Sequence, residues 1–174
     1  MTNLTILTSY FIFPYVVGFC ATLSLIFLIR PLAIKIKLID SPGGRKQHLG
    51  SIPLIGGICM YCGFCFSLLT LHISLRPYRA LIAGSFLLII VGILDDFKEL
   101  SSRARLIAQI VAGLIMVVLG NNELHQLGNL ISLGNLSLSW FALPVTLLAT
   151  CGVINSINMI DGIDGLAGSI CLIA

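Results

Sequence analysis

Apolar runs separated by short polar segments organise this chain, at residues 10–29, 52–75, 80–94, 106–120 and 140–160, with a sixth beginning near 163. Each run predicts a helix that crosses a bilayer. The expected fold is therefore all-α: a polytopic integral membrane protein with about five transmembrane helices plus the start of a sixth, in a single membrane domain over 1–174. The third and fourth runs are short. Fifteen residues rise about 22 Å against a hydrocarbon core of about 30 Å, so both are expected to extend into flanking polar residues or to sit where the bilayer is thinned.

Composition agrees with this pattern. Hydrophobic residues make up 57% of the chain and charged residues 10%, with a mean hydropathy of +1.06, whereas a soluble domain carries about 25% charged residues. No charged residue precedes Arg30, so the first run lacks the basic start of a cleavable signal peptide and reads as a retained helix. Arg30, Lys35, Lys37, Arg45 and Lys46 follow the first run, and Lys98, Arg103 and Arg105 follow the third. Only Arg76 and Arg79 lie in the opposite loops. That bias predicts an N-terminus outside and the basic loops in the cytoplasm. The net charge of +3 is then a topology signal and gives no reason to expect nucleic acid.

With this orientation, Asp40, Asp95, Asp96, Glu99, Asp161 and Asp164 fall on or near the cytoplasmic side, and Glu123 falls outside. Asp161 and Asp164 stand out in NSINMIDGIDGLAG, because a carboxylate at the centre of a membrane helix costs about 2.5–3.5 kcal/mol on insertion scales. At i, i+3 on a helix they would share one face. Gly162, Gly165 and Gly168 around them permit close backbone approach. Asp95 and Asp96 close the third run, where adjacent like charges repel unless a cation or basic partner is present. Two carboxylate pairs beside basic loops suggest a metal-assisted site for an anion. Mg²⁺ suits it, since that ion takes one or two carboxylates and completes its shell with water and phosphate oxygens. The competing reading makes the aspartates solvated helix-end residues.

DSPGGRKQHLGSIPLIGGI, between the first two runs, is the one long basic loop. Pro42, Gly43 and Gly44 break any helix, leaving Arg45, Lys46 and His48 on an irregular cytoplasmic segment suited to phosphate or pyrophosphate. Topology enforcement and contact with anionic membrane lipid would explain the same charges. Cys59, Cys62 and Cys65 form a CxxCxxC spacing shared with some iron–sulfur ligands. They lie within an apolar run, with Cys20, Cys151 and Cys171 elsewhere, and small side chains at helix contacts explain them more simply. His72 and His125 fall on the predicted outer side.

Taken in order, DSPGGRKQHLGSIPLIGGI, LDDFKELSSRARLIAQ and NSINMIDGIDGLAG resemble the polyprenyl-phosphate N-acetylhexosamine-1-phosphate transferases, from about Asp40 onward. The resemblance is strongest to bacterial inner (cytoplasmic) membrane members. It implies transfer of N-acetylglucosamine-1-phosphate from UDP-N-acetylglucosamine to undecaprenyl phosphate, releasing UMP and initiating O-antigen or related cell-surface polysaccharide synthesis. It also implies a cytoplasm-facing site using Mg²⁺, with Mn²⁺ as a substitute. By that resemblance the candidate catalytic residues are Asp95, Asp96, Asp161 and Asp164, and the metal ligands Asp95 and Asp96. The candidate substrate-binding residues are Arg45, Lys46, His48, Asn155 and Asn158. Which aspartate serves as base, nucleophile or ligand stays open.

The family continues for about as long again, with a later magnesium-binding aspartate and a histidine-rich loop that have no counterpart among these 174 residues. The expectation is therefore the N-terminal half of a longer transferase, with a missing C-terminal half as its partner. Two alternatives come from other classes: a catalytically inactive truncated membrane fragment, and an ion or proton pathway through the buried carboxylates.

Overall fold

The computed structural model describes residues 12–40, 52–129, 134–160 and 165–173. Its helices are α1 (Phe13–Lys35), α2 (Gly56–Leu69), α3 (Arg79–Lys98), α4 (Ser102–Gly120), α5 (Ala142–Ile160) and α6 (Leu166–Ile173). With the 3₁₀ turns Arg76–Tyr78 and Ser139–Phe141 leading into α3 and α5, four helical stretches of 19 to 23 residues are long and apolar enough to cross a membrane. The chain is an all-α polytopic membrane protein, to which the described residues add a small antiparallel pairing between β1 (Ile39–Asp40) and β2 (Ile52–Pro53) and an isolated bridge.

Burial runs opposite to that of a water-soluble domain. The buried positions are mostly small, among them Ala33, Cys59, Ala80, Ala112, Ala142 and Ala167. Large side chains such as Phe27, Leu28, Val118, Leu148 and Met159 face outward. In lipid no hydrophobic penalty attaches to an exposed leucine, and helices associate where small residues let their backbones approach. Trp140 is 94% exposed at the turn entering α5, the placement of an interfacial aromatic anchor.

The third and fourth runs, short by hydropathy, extend into flanking polar residues as expected and form helices of 20 and 19 residues, α3 taking in Asp95 to Lys98 and α4 beginning at Ser102. One expected length is revised. The second run, expected over 52–75, supplies a helix of only 14 residues, about 21 Å long. Ile52 and Pro53 are drawn into the strand pair, in register with Asp40 and Ile39. At the other end, the Thr70 hydroxyl and amide both donate to Ser67 O, tightening the last turn.

The chain divides into two compact units, residues 1–78 with 85–100 and residues 79–84 with 101–174. In the first, α1 ends in a Schellman motif. Leu38 N–H donates to Ala33 O and Lys37 N–H to Ile34 O, with Lys37 left-handed at φ 60°, a conformation that costs a residue with a Cβ. The motif brings Leu38 against Ala33, and both join Ile55 and Cys59 in a buried cluster. The Leu54 amide extends the strand pairing by donating to Leu38 O. Higher along the pair, the Ser67 hydroxyl on α2 donates to Pro14 O on α1 at 2.8 Å.

In the second unit, the first turns of α3 lie on α4 at two glycines. A Cβ on Gly84 would come 3.3 Å from Ala112 O, and one on Gly120 2.9 Å from Ala80 Cβ. Along α5, Gly113 of α4 faces Leu147 and Thr150. The connection from α4 to α5 folds back through a bridge between Gln126 and Ser137. It is tied to α5 by the Leu124 amide, which donates to the Thr146 hydroxyl at 2.9 Å.

Candidate functional site

Asp95 and Asp96 occupy the last turn of α3, within the first unit. Carboxylates at a helix C-terminus face the negative end of the dipole, at a cost of about 0.3–1 kcal/mol each. Lys98 in the same turn offsets part of this. The two side chains differ in environment because adjacent residues leave a helix about 100° apart. Glu99 turns left-handed at φ 45° and ends the helix, so the following amide folds back and Leu100 N–H donates to Asp95 Oδ1 at 2.7 Å. Half-buried Asp95 thereby caps its own helix. Asp96 is exposed and lines a cavity of about 230 Å³.

That cavity brings the carboxylate to the root of the basic loop. Its walls include Leu54, Gly57 and Ile58 from the start of α2 and Gly92 and Ile93 from α3. Leu54 directly follows β2, and β1 and β2 close the two ends of the segment that carries Arg45, Lys46 and His48. Those three residues themselves lie outside the described residues. The space beside Gly57 and Gly92 is open, with no atom within 4 Å of where a Cβ would stand on either. An apolar cavity lined at one point by a carboxylate can accept an amphipathic ligand with an anionic head if a cation bridges head and carboxylate.

Among the described residues no three His, Cys, Asp or Glu side chains come together. Asp95 and Asp96 offer hard carboxylate oxygens, a donor type that suits Mg²⁺, which keeps several waters and takes substrate phosphates as ligands.

Asn155 and Asn158 lie on the last two turns of α5, in the second unit. Asn158 is exposed. Asn155 is engaged by a residue that charge-based reading of the sequence missed, Gln109 of α4. Gln109 Nε2 donates to Asn155 Oδ1 at 3.3 Å, and Asn155 Nδ2 donates back to Gln109 Oε1 at 2.7 Å and to Cys151 O at 2.8 Å. The signal available in the sequence was a single amide in the apolar run LIAQIVAG. Asp161 and Asp164 lie outside the described residues. Just after them, Gly165 sits at φ +77°, a backbone that an L side chain rarely adopts, and α6 starts at Leu166 with Ser169 N–H and Oγ both donating to Gly165 O.

The six cysteines are free thiols. Cys59 packs fully buried against Ala33, Leu38 and Ile55, as a small side chain at a helix contact. His72 is exposed, and His125 Nδ1 lies 4.0 Å from Glu123.

Comparison with known proteins converges on one family. The family model described as glycosyl transferase family 4 matches residues 78–174. The chain is similar to the undecaprenyl-phosphate alpha-N-acetylglucosaminyl 1-phosphate transferase of Yersinia pestis, 38% identical over 152 residues, covering 87% of the chain and 42% of the relative. The Salmonella typhi protein of the same name is 38% identical over 172 residues, covering 98% of the chain and 44% of the relative. A Bacillus subtilis protein named as a probable undecaprenyl-phosphate N-acetylglucosaminyl 1-phosphate transferase is 33% identical over 163 residues, covering 91% and 45%. The chain thus spans less than half the length of these relatives. No solved structure gives a significant match.

Proposed function

The chain belongs to glycosyl transferase family 4, and on that premise we propose that it contributes the cytoplasmic face of a phosphosugar-transfer site in a bacterial inner membrane, with the N-terminus outside. The reaction is transfer of N-acetylglucosamine-1-phosphate from UDP-N-acetylglucosamine to undecaprenyl phosphate, the first step of O-antigen or related cell-surface polysaccharide synthesis. The observation that supports this reading is that Asp96 lines the same cavity as Leu54, which follows the strand closing the basic segment.

An oxygen of the lipid phosphate forms a bond to the β-phosphorus of the sugar nucleotide. The bond from that phosphorus to the bridging oxygen breaks, and UMP leaves with the electron pair. Chemistry of this kind needs positioning and charge neutralisation more than covalent help from the protein. Asp96 presents its carboxylate to the cavity, while Asp95, tied to the Leu100 amide, fixes the turn that aims it. Arg45, Lys46 and His48 donate to the diphosphate, Asn158 to the sugar nucleotide, and Asp161 and Asp164 complete the set of carboxylates. Magnesium, or manganese in its place, supplies neutralisation of the diphosphate charge when bound.

The test is UMP release from UDP-N-acetylglucosamine with undecaprenyl phosphate and magnesium. Misplacing reactants by about 1 Å costs about 10²-fold, so the 174 residues alone are expected to stay at background. Membranes that also hold the C-terminal half of the Yersinia pestis relative are expected to release UMP. Absence of release in the paired membranes overturns this account, whereas robust release by the purified chain alone overturns only the expectation that the second half is needed. Thiol labelling of single cysteines in a cysteine-free background checks the orientation: a probe at residue 45 should be protected from outside and one at residue 123 reactive. Labelling of residue 45 from outside reverses the topology.

A further inference from the structure

Gln109 is buried on α4 at 9% exposure, and a polar side chain in an apolar helix has to be accounted for. Its amide meets that of Asn155 in a reciprocal pair. Asn155 also donates to the Cys151 carbonyl. A side-chain amide carries two N–H donors, so both of Asn155's are spent within the chain although the residue as a whole is exposed.

The position of the pair distinguishes it from general adhesion between helices. One turn along α4, Gly113 packs against Leu147 and Thr150 of α5, so the helices run antiparallel with a non-directional contact towards the start of α5. A glycine against a leucine methyl sets a separation but tolerates rotation. Two amide hydrogen bonds are directional. A slip of one residue along α5 moves Asn155 by about 1.5 Å and turns it by about 100°, which breaks both. The pair sits about one turn before Asn158, close to the helix end at Ile160, and away from the glycine contact nearer the start of α5.

We propose that the Gln109–Asn155 amide pair is a rotational lock that sets the last turn of α5, and that both are positioning residues for the segment leading to Asp161 and Asp164. The functional half of this inference rests on the transferase reading above. On this view Asn155 acts through α5 and does not touch the sugar nucleotide.

The test needs no turnover. In a cysteine-free chain, where the Cys151 carbonyl is retained, spin labels at Ile107 and Met159 report the distance between the start of α4 and the last turn of α5. Both sites are exposed, at 61% and 83%. The lock predicts a narrow distance distribution in the parent and loss of that narrow component in Gln109→Leu and in Asn155→Leu. The exchanged pair, Gln109→Asn with Asn155→Gln, conserves the combined side-chain length and should restore it. If Gln109→Leu fails to insert, Gln109→Ser, whose small side chain is easily accommodated beside α5, gives the same reading. A distribution that stays narrow in the single variants, even with lowered thermal stability, overturns the proposal in favour of packing alone. An exchanged pair as broad as the single variants overturns it as well. Failure of UMP release leaves these distances unaffected, so the lock and the transferase reading fail separately.

Discussion

The α1–α2 and α4–α5 pairs both close on glycine, but what each glycine faces differs. A Cβ on Gly63 of α2 would meet the Thr22 side chain of α1 first and would stand 2.8 Å from Gly18 O behind it. Thr22 is β-branched and its hydroxyl donates to Gly18 O, so the nearest side chain is short, stiff and tied to the backbone, and neither it nor the carbonyl yields easily. A Cβ on Gly113 of α4 would stand 2.8 Å from Leu147 Cδ2 of α5, the far end of a side chain that can change rotamer. The first pair is held at a fixed separation, with a cross-link from the Ser67 hydroxyl to Pro14 O. The second can deform at its glycine and carries the directional Gln109–Asn155 pair instead. Where approach is limited by a stiff side chain tied to a carbonyl, small residues fix the geometry. Where it is limited by the far end of a flexible side chain, hydrogen bonds have to.

The largest expected effect concerns the charged group of the first unit, set against the neutral amide pair of the second. Asp96→Asn keeps the shape of a side chain that lines the cavity and removes its charge. In the paired membranes it should lower the rate of UMP release by at least about 10²-fold, or about 2.7 kcal/mol of transition-state stabilisation. Gln109→Leu, with no group in the cavity, should lower the rate less. Membrane insertion should be unchanged for Asp96→Asn, as read by protease protection. Near-normal turnover for Asp96→Asn at saturating magnesium would remove the cavity from the mechanism.

Next in size is Gly63→Ala. Overpacking costs about 1–3 kcal/mol, and here the new methyl meets both the Thr22 side chain and the Gly18 carbonyl, which puts the cost in the upper part of that range, above the gain of about 1 kcal/mol from replacing glycine by alanine within a helix. The variant should therefore be destabilised, with α1 and α2 moved apart. Thermal unfolding in detergent, together with disulfide trapping between cysteines introduced at Pro14 and Ser67, measures both effects. An unshifted midpoint with undiminished trapping would mean that the α1–α2 contact is as deformable as the other.

Hydropathy made the membrane helices legible because lipid demands long apolar helices, and the family was legible in three ordered motifs. The length of α2 was not. Ile52, Pro53 and Leu54 are apolar enough to belong to a span, yet the backbone of this segment serves the strand pair, and hydropathy does not distinguish a strand edge from a helix. Asp95 and Asp96 were legible as a pair because charge at a membrane boundary is costly. Their different environments follow from the left-handed turn at Glu99, which no residue type there announces. Gln109 carries no charge, and its importance depends on which helix it faces. The basic triad and the Asp161–Asp164 pair, the other half of the expected site, fall outside the described residues.

The smallest effect separates the two glycine contacts most cleanly. Gly113→Ala gains about 1 kcal/mol of helix propensity. Its new methyl meets Leu147 Cδ2, with the Thr150 methyl next at 4.0 Å. Moving Leu147 off its rotamer costs about 0.5–1.5 kcal/mol, so the two terms cancel to within about half a kcal/mol and the unfolding midpoint should barely move. The amide pair, one turn away, should hold α5 in register while Leu147 adjusts, and the distance distribution between labels at Ile107 and Met159 should stay narrow. Combining Gly113→Ala with Gln109→Leu removes that restraint, and the double variant should lose more than the sum of the single losses, as expected for residues that share one contact. Additive losses would mean that separation and rotation are set independently in this pair, and that the amide lock does not compensate for the deformability of its glycine contact.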